Sequence, residues 1–221
     1  RKSPAFNDPE TPDSFSELKM DGVDVEDYDA VFFALSDFGQ DETSGTIFVD
    51  PSTLNSHIYK YLCDSFPADS VVCGMSPVIS EKSIKSQSEV ENFRQAYIED
   101  GVAMERFIHW LEAEVASGRE VTEWEASERL TAFRAEIPGY RGNSFENISG
   151  YGPHAALPHY STPQTGSAVI RPYGLYLVDS GGQYLTGTTD ITRTIPMGEC
   201  TDLEKEDYTL VLKGMIALSM A

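Results

Sequence analysis

"LVDSGGQYLTGTTDITRT" runs from Leu177 to Thr194 and sets two carboxylates, Asp179 and Asp190, eleven residues apart. The flanking texture, "GLYLVDSGGQYL" and "TTDITRTIPM", carries apolar residues at strand spacing. Glycines between the aspartates permit a tight reversal of the chain. A reversal centred on Tyr184 and Leu185 lays the two segments antiparallel and puts Asp179 directly across from Asp190. Opposed side chains in such a pair lie about 4.5–5.5 Å apart at Cβ. Two ionised carboxylates that close repel, and one takes up a proton unless a cation intervenes. Hard oxygen donors suit Mn, Mg or Ca, and two such ions about 3.5–4 Å apart form a known hydrolytic arrangement. The residues alone leave a second reading open, in which both aspartates serve turns or caps and Arg193 pairs with one of them.

The chain has 221 residues and a formal charge of −20, from 16 basic and 36 acidic side chains. Such an excess repels nucleic acid and anionic membrane, and both are excluded as principal partners. Three widely spaced cysteines, Cys63, Cys73 and Cys200, form no zinc-knuckle or redox pattern and point to reduced thiols in a cytoplasmic protein. No apolar run approaches the roughly 20 residues of a membrane span. The start, "RKSPAFNDPETPDSF", has no signal-peptide core and no initial Met, which reads as a piece of a longer protein.

Residues 1–29 hold nine Asp/Glu against three Lys/Arg and read as an acidic loop. "VFFAL" (Val31–Leu35) and "GTIFV" (Gly45–Val49) read as strands joined by the turn-like "DFGQDETS". A helix over Thr53–Leu62 and a strand over Ser70–Met75 complete a β-β-α-β pattern. A break is expected over Ser76–Gln87. A long helix then carries Val90, Phe93, Tyr97, Gly101, Met104, Ile108, Leu111 and Val115 as its stripe, opened by the capping box "SQSE" and closed near Gly118. "TEWE" (Thr122–Glu125) opens a second helix that Pro138 ends. Trp110 and Trp124 read as packing residues. Gly139–Pro163 suggests short strands and turns. Thr201–Ala221 suggests an amphipathic helix with Leu203, Tyr208, Val211, Leu212 and Met215 near one face.

"DSGGQYLTGTTDITRT" resembles the two-aspartate signature of the pita-bread metallopeptidases, and within them the large form of aminopeptidase P. "GYGPHAALPHY" (Gly150–Tyr160) is similar to the family segment with an active-site histidine before Tyr. "SIKSQSEVENFRQAYIEDGVAMERFIHWLE" and "VLKGMIAL" look like the helices before and after the metal hairpin. The resemblance implies an α+β fold, the first half of a pita-bread catalytic domain (81–221) preceded by part of a small α/β middle domain (1–80). It implies metal ligation by Asp179 and Asp190 to two divalent ions, Mn first, with Zn or Co as alternatives. His159 would then bind substrate and stabilise the tetrahedral intermediate, an assignment compatible with an imidazole donor at an oxyanion. His57 and His109 fall in helical patterns, and no motif position supports His154. The implied reaction releases an N-terminal residue preceding proline from peptides, and the implied full-length protein is a homodimer. A prolidase and a non-catalytic peptide-binding module are the alternatives. The family's remaining ligands, one histidine and two glutamates, would follow Ala221. The 221-residue chain alone is therefore expected to bind metal weakly and to be inactive.

Overall fold

The computed structural model describes residues 19–40 and 45–221. The described residues fall into two compact units, one ending at Ile84 and the other spanning Lys85–Ala221. The acidic loop expected over residues 1–29 lies outside the described residues as far as residue 18, as do residues 41–44 of the expected turn.

In the first unit, helix α1 (Val31–Gln40) replaces the strand expected at Val31–Leu35. Its half-buried positions, Val31, Phe32, Leu35 and Ser36, recur at one- and four-residue steps. That stripe is helical, although the β-branched and aromatic composition suggested a strand. β1 (Ile47–Val49) and β2 (Val71–Cys73) pair in parallel, with Ile47 across from Val71. α2 (Ser56–Ser65) connects them, capped by the Asn55 side chain accepting from the His57 N–H. Phe32 meets the rings of His57 and Tyr61 edge-on, each at 5.2 Å. The break expected after Met75 contains a short helix, α3 (Pro77–Ser83), whose first residue is the proline.

The second unit opens with α4 (Gln87–Ala116). Its capping box forms as the sequence indicates: Ser86 Oγ accepts from the Glu89 N–H, and Glu89 Oε2 accepts from the Ser86 N–H at 2.7 Å. The buried stripe is Ala96, Asp100, Ala103, Met104, Phe107, Leu111 and Val115. Met104, Leu111 and Val115 were expected there. Tyr97 is exposed, and the upper half of the stripe is rotated by one residue because Asp100 must face inward. β3 (Val121–Thr122) leads into α5 (Glu123–Ala135). Thr122 caps α5 through the Glu125 N–H, but the reciprocal half of that box is absent, since Glu125 turns instead to Arg119.

β4 (Tyr140–Asn143), β5 (Ile148–Tyr151), β6 (Val169–Ile170), β7 (Leu175–Ser180), β8 (Gly182–Tyr184), β9 (Gly187–Thr188) and β10 (Ile191–Pro196) complete the strands. They form an antiparallel β10-β7-β5 sheet, a β4-β8-β9 sheet and the β3-β6 pair. Tyr176, Val178 and Ile195 of the first sheet face a core built with Phe107, Leu111, Val121, Leu130 and Ile170. Trp110 packs against this core, as expected. Burying each such large side chain contributes about 1.5–3 kcal/mol. The final helix, α6 (Asp202–Ser219), has a complete Thr201–Glu204 capping box. Its expected apolar residues, Leu203, Tyr208, Val211, Leu212 and Met215, are all exposed here.

Candidate metal centre

The two aspartates sit on one hairpin, but in a different register from the expected one. β7 and β10 pair with Asp179 across from Thr192 and Ser180 across from Ile191. β8 and β9 continue the same register, with Tyr184 across from Gly187, so the chain reverses at Leu185–Thr186. The expected reversal at Tyr184–Leu185 is therefore corrected by one residue, and Asp179 is not directly opposed to Asp190. The physical reason is Tyr184. Its ring is buried and its hydroxyl donates to Asp100 Oδ1 at 2.8 Å, so it cannot occupy the tip. Leu185, 74% exposed, takes the tip instead. Gly187 follows at φ +156°, against the Phe93 ring, where an added Cβ would stand 2.8 Å from a ring carbon.

Moving the turn by one residue shifts the register by two, which changes the partner and preserves the face. Leading into β10 the pattern is Thr189 buried, Asp190 exposed, Ile191 buried, Thr192 exposed. Asp190 thus shares a face with Thr192, and Thr192 with its partner Asp179. The two carboxylates are diagonal neighbours, a relation that spans about 7–8 Å between backbones. Thr192 Oγ1 donates to Asp179 Oδ1 at 2.7 Å and orients that carboxylate. Arg193 pairs with neither aspartate, and its Nη1 donates to the Thr192 carbonyl at 2.7 Å.

Between the aspartates the ladder opens around Ser144. The Ser144 N–H donates to the Gly181 carbonyl at 3.0 Å, and its hydroxyl donates to the Thr189 carbonyl at 3.0 Å. An added Cβ at Gly181 would lie 2.0 Å from the Thr189 carbonyl oxygen and 2.3 Å from Ser144 Oγ. That close approach is what the glycine after Ser180 serves.

The hairpin is tied to both long helices by a buried network. Arg134 Nε donates to Asp100 Oδ1 at 2.5 Å, and Thr189 Oγ1 donates to Asp100 Oδ2 at 2.7 Å. Burial pushes the Tyr184 hydroxyl pKa well above the usual tyrosine value, and the bond to Asp100 adds to the effect. Tyr184 therefore remains a donor.

His159 is exposed in a turn, Leu157 to Tyr160, closed by the Tyr160 N–H on the Leu157 carbonyl at 3.1 Å. His154 is held elsewhere, its Nδ1 2.8 Å from Glu123 Oε1 and its ring stacked on Tyr160 at 4.6 Å. His57 packs on Phe32, and His109 is exposed on α4. Glu123, Tyr160, Thr192 and Asp100 are the site's supporting residues that the sequence reading did not single out. Only the position of Tyr160 beside His159 signalled any of them.

Two hard carboxylates on one sheet face, one oriented by a hydroxyl, fit part of the ligand set of a divalent ion. Among the described residues no cluster of three or more His, Cys, Asp or Glu side chains could complete it. No helix among them is long and apolar enough to cross a membrane.

Residues 91–221 match metallopeptidase family M24. The chain is 36% identical over 220 residues to a probable Xaa-Pro aminopeptidase P of Laccaria bicolor, covering 98% of this chain and 33% of that protein. It is 44% identical over 153 residues to the corresponding protein of Tuber melanosporum, covering 69% of this chain and 25% of that one. It thus spans a third or less of these curated relatives. The fold resembles the crystal structure of X-prolyl aminopeptidase from Caenorhabditis elegans, described as a cytosolic enzyme with a di-nuclear active site. The TM-score is 0.77 at 27% identity, over 87% of this chain and 31% of that one. It also resembles Xaa-Pro dipeptidase from Bacillus anthracis, with a TM-score of 0.66 at 26% identity, over 85% of this chain and 49% of that one. These likenesses agree with the α+β, pita-bread fold expected from the sequence.

Proposed function

This chain belongs to metallopeptidase family M24, and from that premise we propose that the whole protein is a Xaa-Pro aminopeptidase. It releases an N-terminal residue that precedes proline, in the cytosol, using two divalent ions, Mn first. The observation that carries the reading is the pair Asp179 and Asp190 on one face of the β7–β10 hairpin, in a chain whose relatives are named aminopeptidase P. Proline makes the scissile bond a tertiary amide without an N–H, so a dedicated site is needed.

Asp179 and Asp190 would hold the metal, which supplies Lewis-acid polarisation and an activated water when bound. Thr192 keeps Asp179 turned toward the shared face. His159, exposed on its turn, donates a ring N–H hydrogen bond to the oxyanion that develops on the substrate carbonyl.

The test uses the full-length protein loaded with Mn and an Xaa-Pro-Xaa tripeptide. His159→Ala is expected to lower kcat by about 10²–10³, the usual cost of one oxyanion donor, with metal content unchanged. His154→Ala is expected to cost much less, and a larger loss there would reverse the histidine assignment. The likeness to the Bacillus anthracis dipeptidase favours prolidase as the second reading. Cleavage of Xaa-Pro dipeptides alone would replace the first reading with it.

A further inference from the structure

Glu123, the first residue of α5, is a fully buried carboxylate with four donors. Oε1 accepts from the Tyr151 N–H at 2.7 Å and lies 2.8 Å from His154 Nδ1. Oε2 accepts from the Tyr160 hydroxyl at 2.9 Å and the Ala168 N–H at 3.0 Å. Both carboxylate oxygens thus have two partners each within hydrogen-bond distance. A carboxylate at a helix start could take donors from its own first turn. Glu123 takes none of these four there. All four come from residues 151–168, the segment that carries His159.

Within that segment the contacts converge on one residue. The Leu157 N–H donates to the His154 carbonyl at 3.1 Å, and the Tyr160 N–H donates to the Leu157 carbonyl at 3.1 Å. His159 occupies the third position of the second of these turns. On its two sides along the chain, His154 five residues before and Tyr160 directly after are stacked on each other and contact opposite oxygens of Glu123. Farther along, Thr162 Oγ1 donates to the Ser149 carbonyl at 3.0 Å and closes the segment onto β5. His159 is left exposed on a turn whose two sides converge on one buried group.

We propose that Glu123 is the positioning residue for His159, setting the turn from which that imidazole reaches the substrate. The inference deepens the aminopeptidase reading and rests on the role given there to His159. Glutamine at 123 would set an NH2 group against two donors, leaving at least one buried donor unpaired and the turn free to shift. A displacement near 1 Å in a positioned group can cost about 10²-fold in rate.

The experiment is a double-mutant cycle on the full-length, Mn-loaded protein with a tripeptide substrate, comparing wild type, Glu123→Gln, His159→Ala and the double variant. Glu123→Gln is expected to lower kcat about 10- to 100-fold with a smaller change in KM. The double variant should be no slower than His159→Ala alone. A Glu123→Gln loss that persists in full without His159 overturns the proposal, as does a wild-type kcat for Glu123→Gln. Tyr160→Phe removes a single hydroxyl and should fold normally. It should show the same coupling at smaller size, and additivity there also overturns the proposal. NMR relaxation of the His159 ring reads positioning without turnover. The ring should gain mobility in Glu123→Gln, and unchanged mobility overturns the proposal. A wild type that releases nothing from tripeptides defeats the aminopeptidase reading, and the ring measurement still decides this one.

Discussion

Asp100 and Glu123 are both carboxylates without solvent exposure, and each fastens a different segment to a helix. Asp100 holds the hairpin of Asp179 and Asp190, and its partners are the Arg134 guanidinium and two hydroxyls, from Tyr184 and Thr189. Glu123 holds the segment of His159, and its partners are two backbone amides, a phenol and an imidazole. A buried charge matched by a buried cation is rigid but depends on both partners. A buried carboxylate matched by donors from several groups spreads its cost over many bonds. The hairpin is thus secured by one strong pair and the turn by several weaker bonds.

The comparison breaks most sharply at Arg134. Arg134→Met leaves Asp100 buried with only hydroxyl donors, and is expected to destabilise the protein by about 3–5 kcal/mol. The urea midpoint checks this, and Arg134→Met/Asp100→Leu should recover much of the loss, because an apolar pair removes the stranded charge. Glu123→Gln should cost less, about 1–3 kcal/mol, since only part of its bonding is lost. Equal losses for the two substitutions in urea unfolding would erase the distinction drawn between the networks.

The smallest effect concerns Tyr160. Burial and its bond to Glu123 push the Tyr160 pKa from the ordinary 10.0 up to about 12. The folded protein therefore holds this proton more tightly than the unfolded chain does. The stability it contributes is fully present below pH 10.0 and is lost as pH rises toward about 12. The unfolding free energy measured across that window should fall less steeply with pH in Tyr160→Phe than in wild type. An identical slope would remove Tyr160 from the Glu123 network.

Local rules made much of the second unit legible. The Ser86–Glu89 box, the Thr122 cap, the long helix from Gln87 and the shared face of the two aspartates follow from caps and from period-two alternation. Those signals lie within a few residues of what they specify. The same rules misread Val31–Leu35, where strand-forming residues stand in a helix, because a short apolar run carries no decisive period.

By itself the sequence determined that a glycine-containing hairpin presents Asp179 and Asp190 on one face, since alternation survives a two-residue shift of register. The tertiary structure alone decided where the hairpin turns and what holds it. Tyr184 is drawn inward by Asp100, 84 positions away, and Ala168 reaches Glu123 across 45. Such partners meet only when helix and sheet pack together, and a buried carboxylate must find its donors wherever the fold brings them.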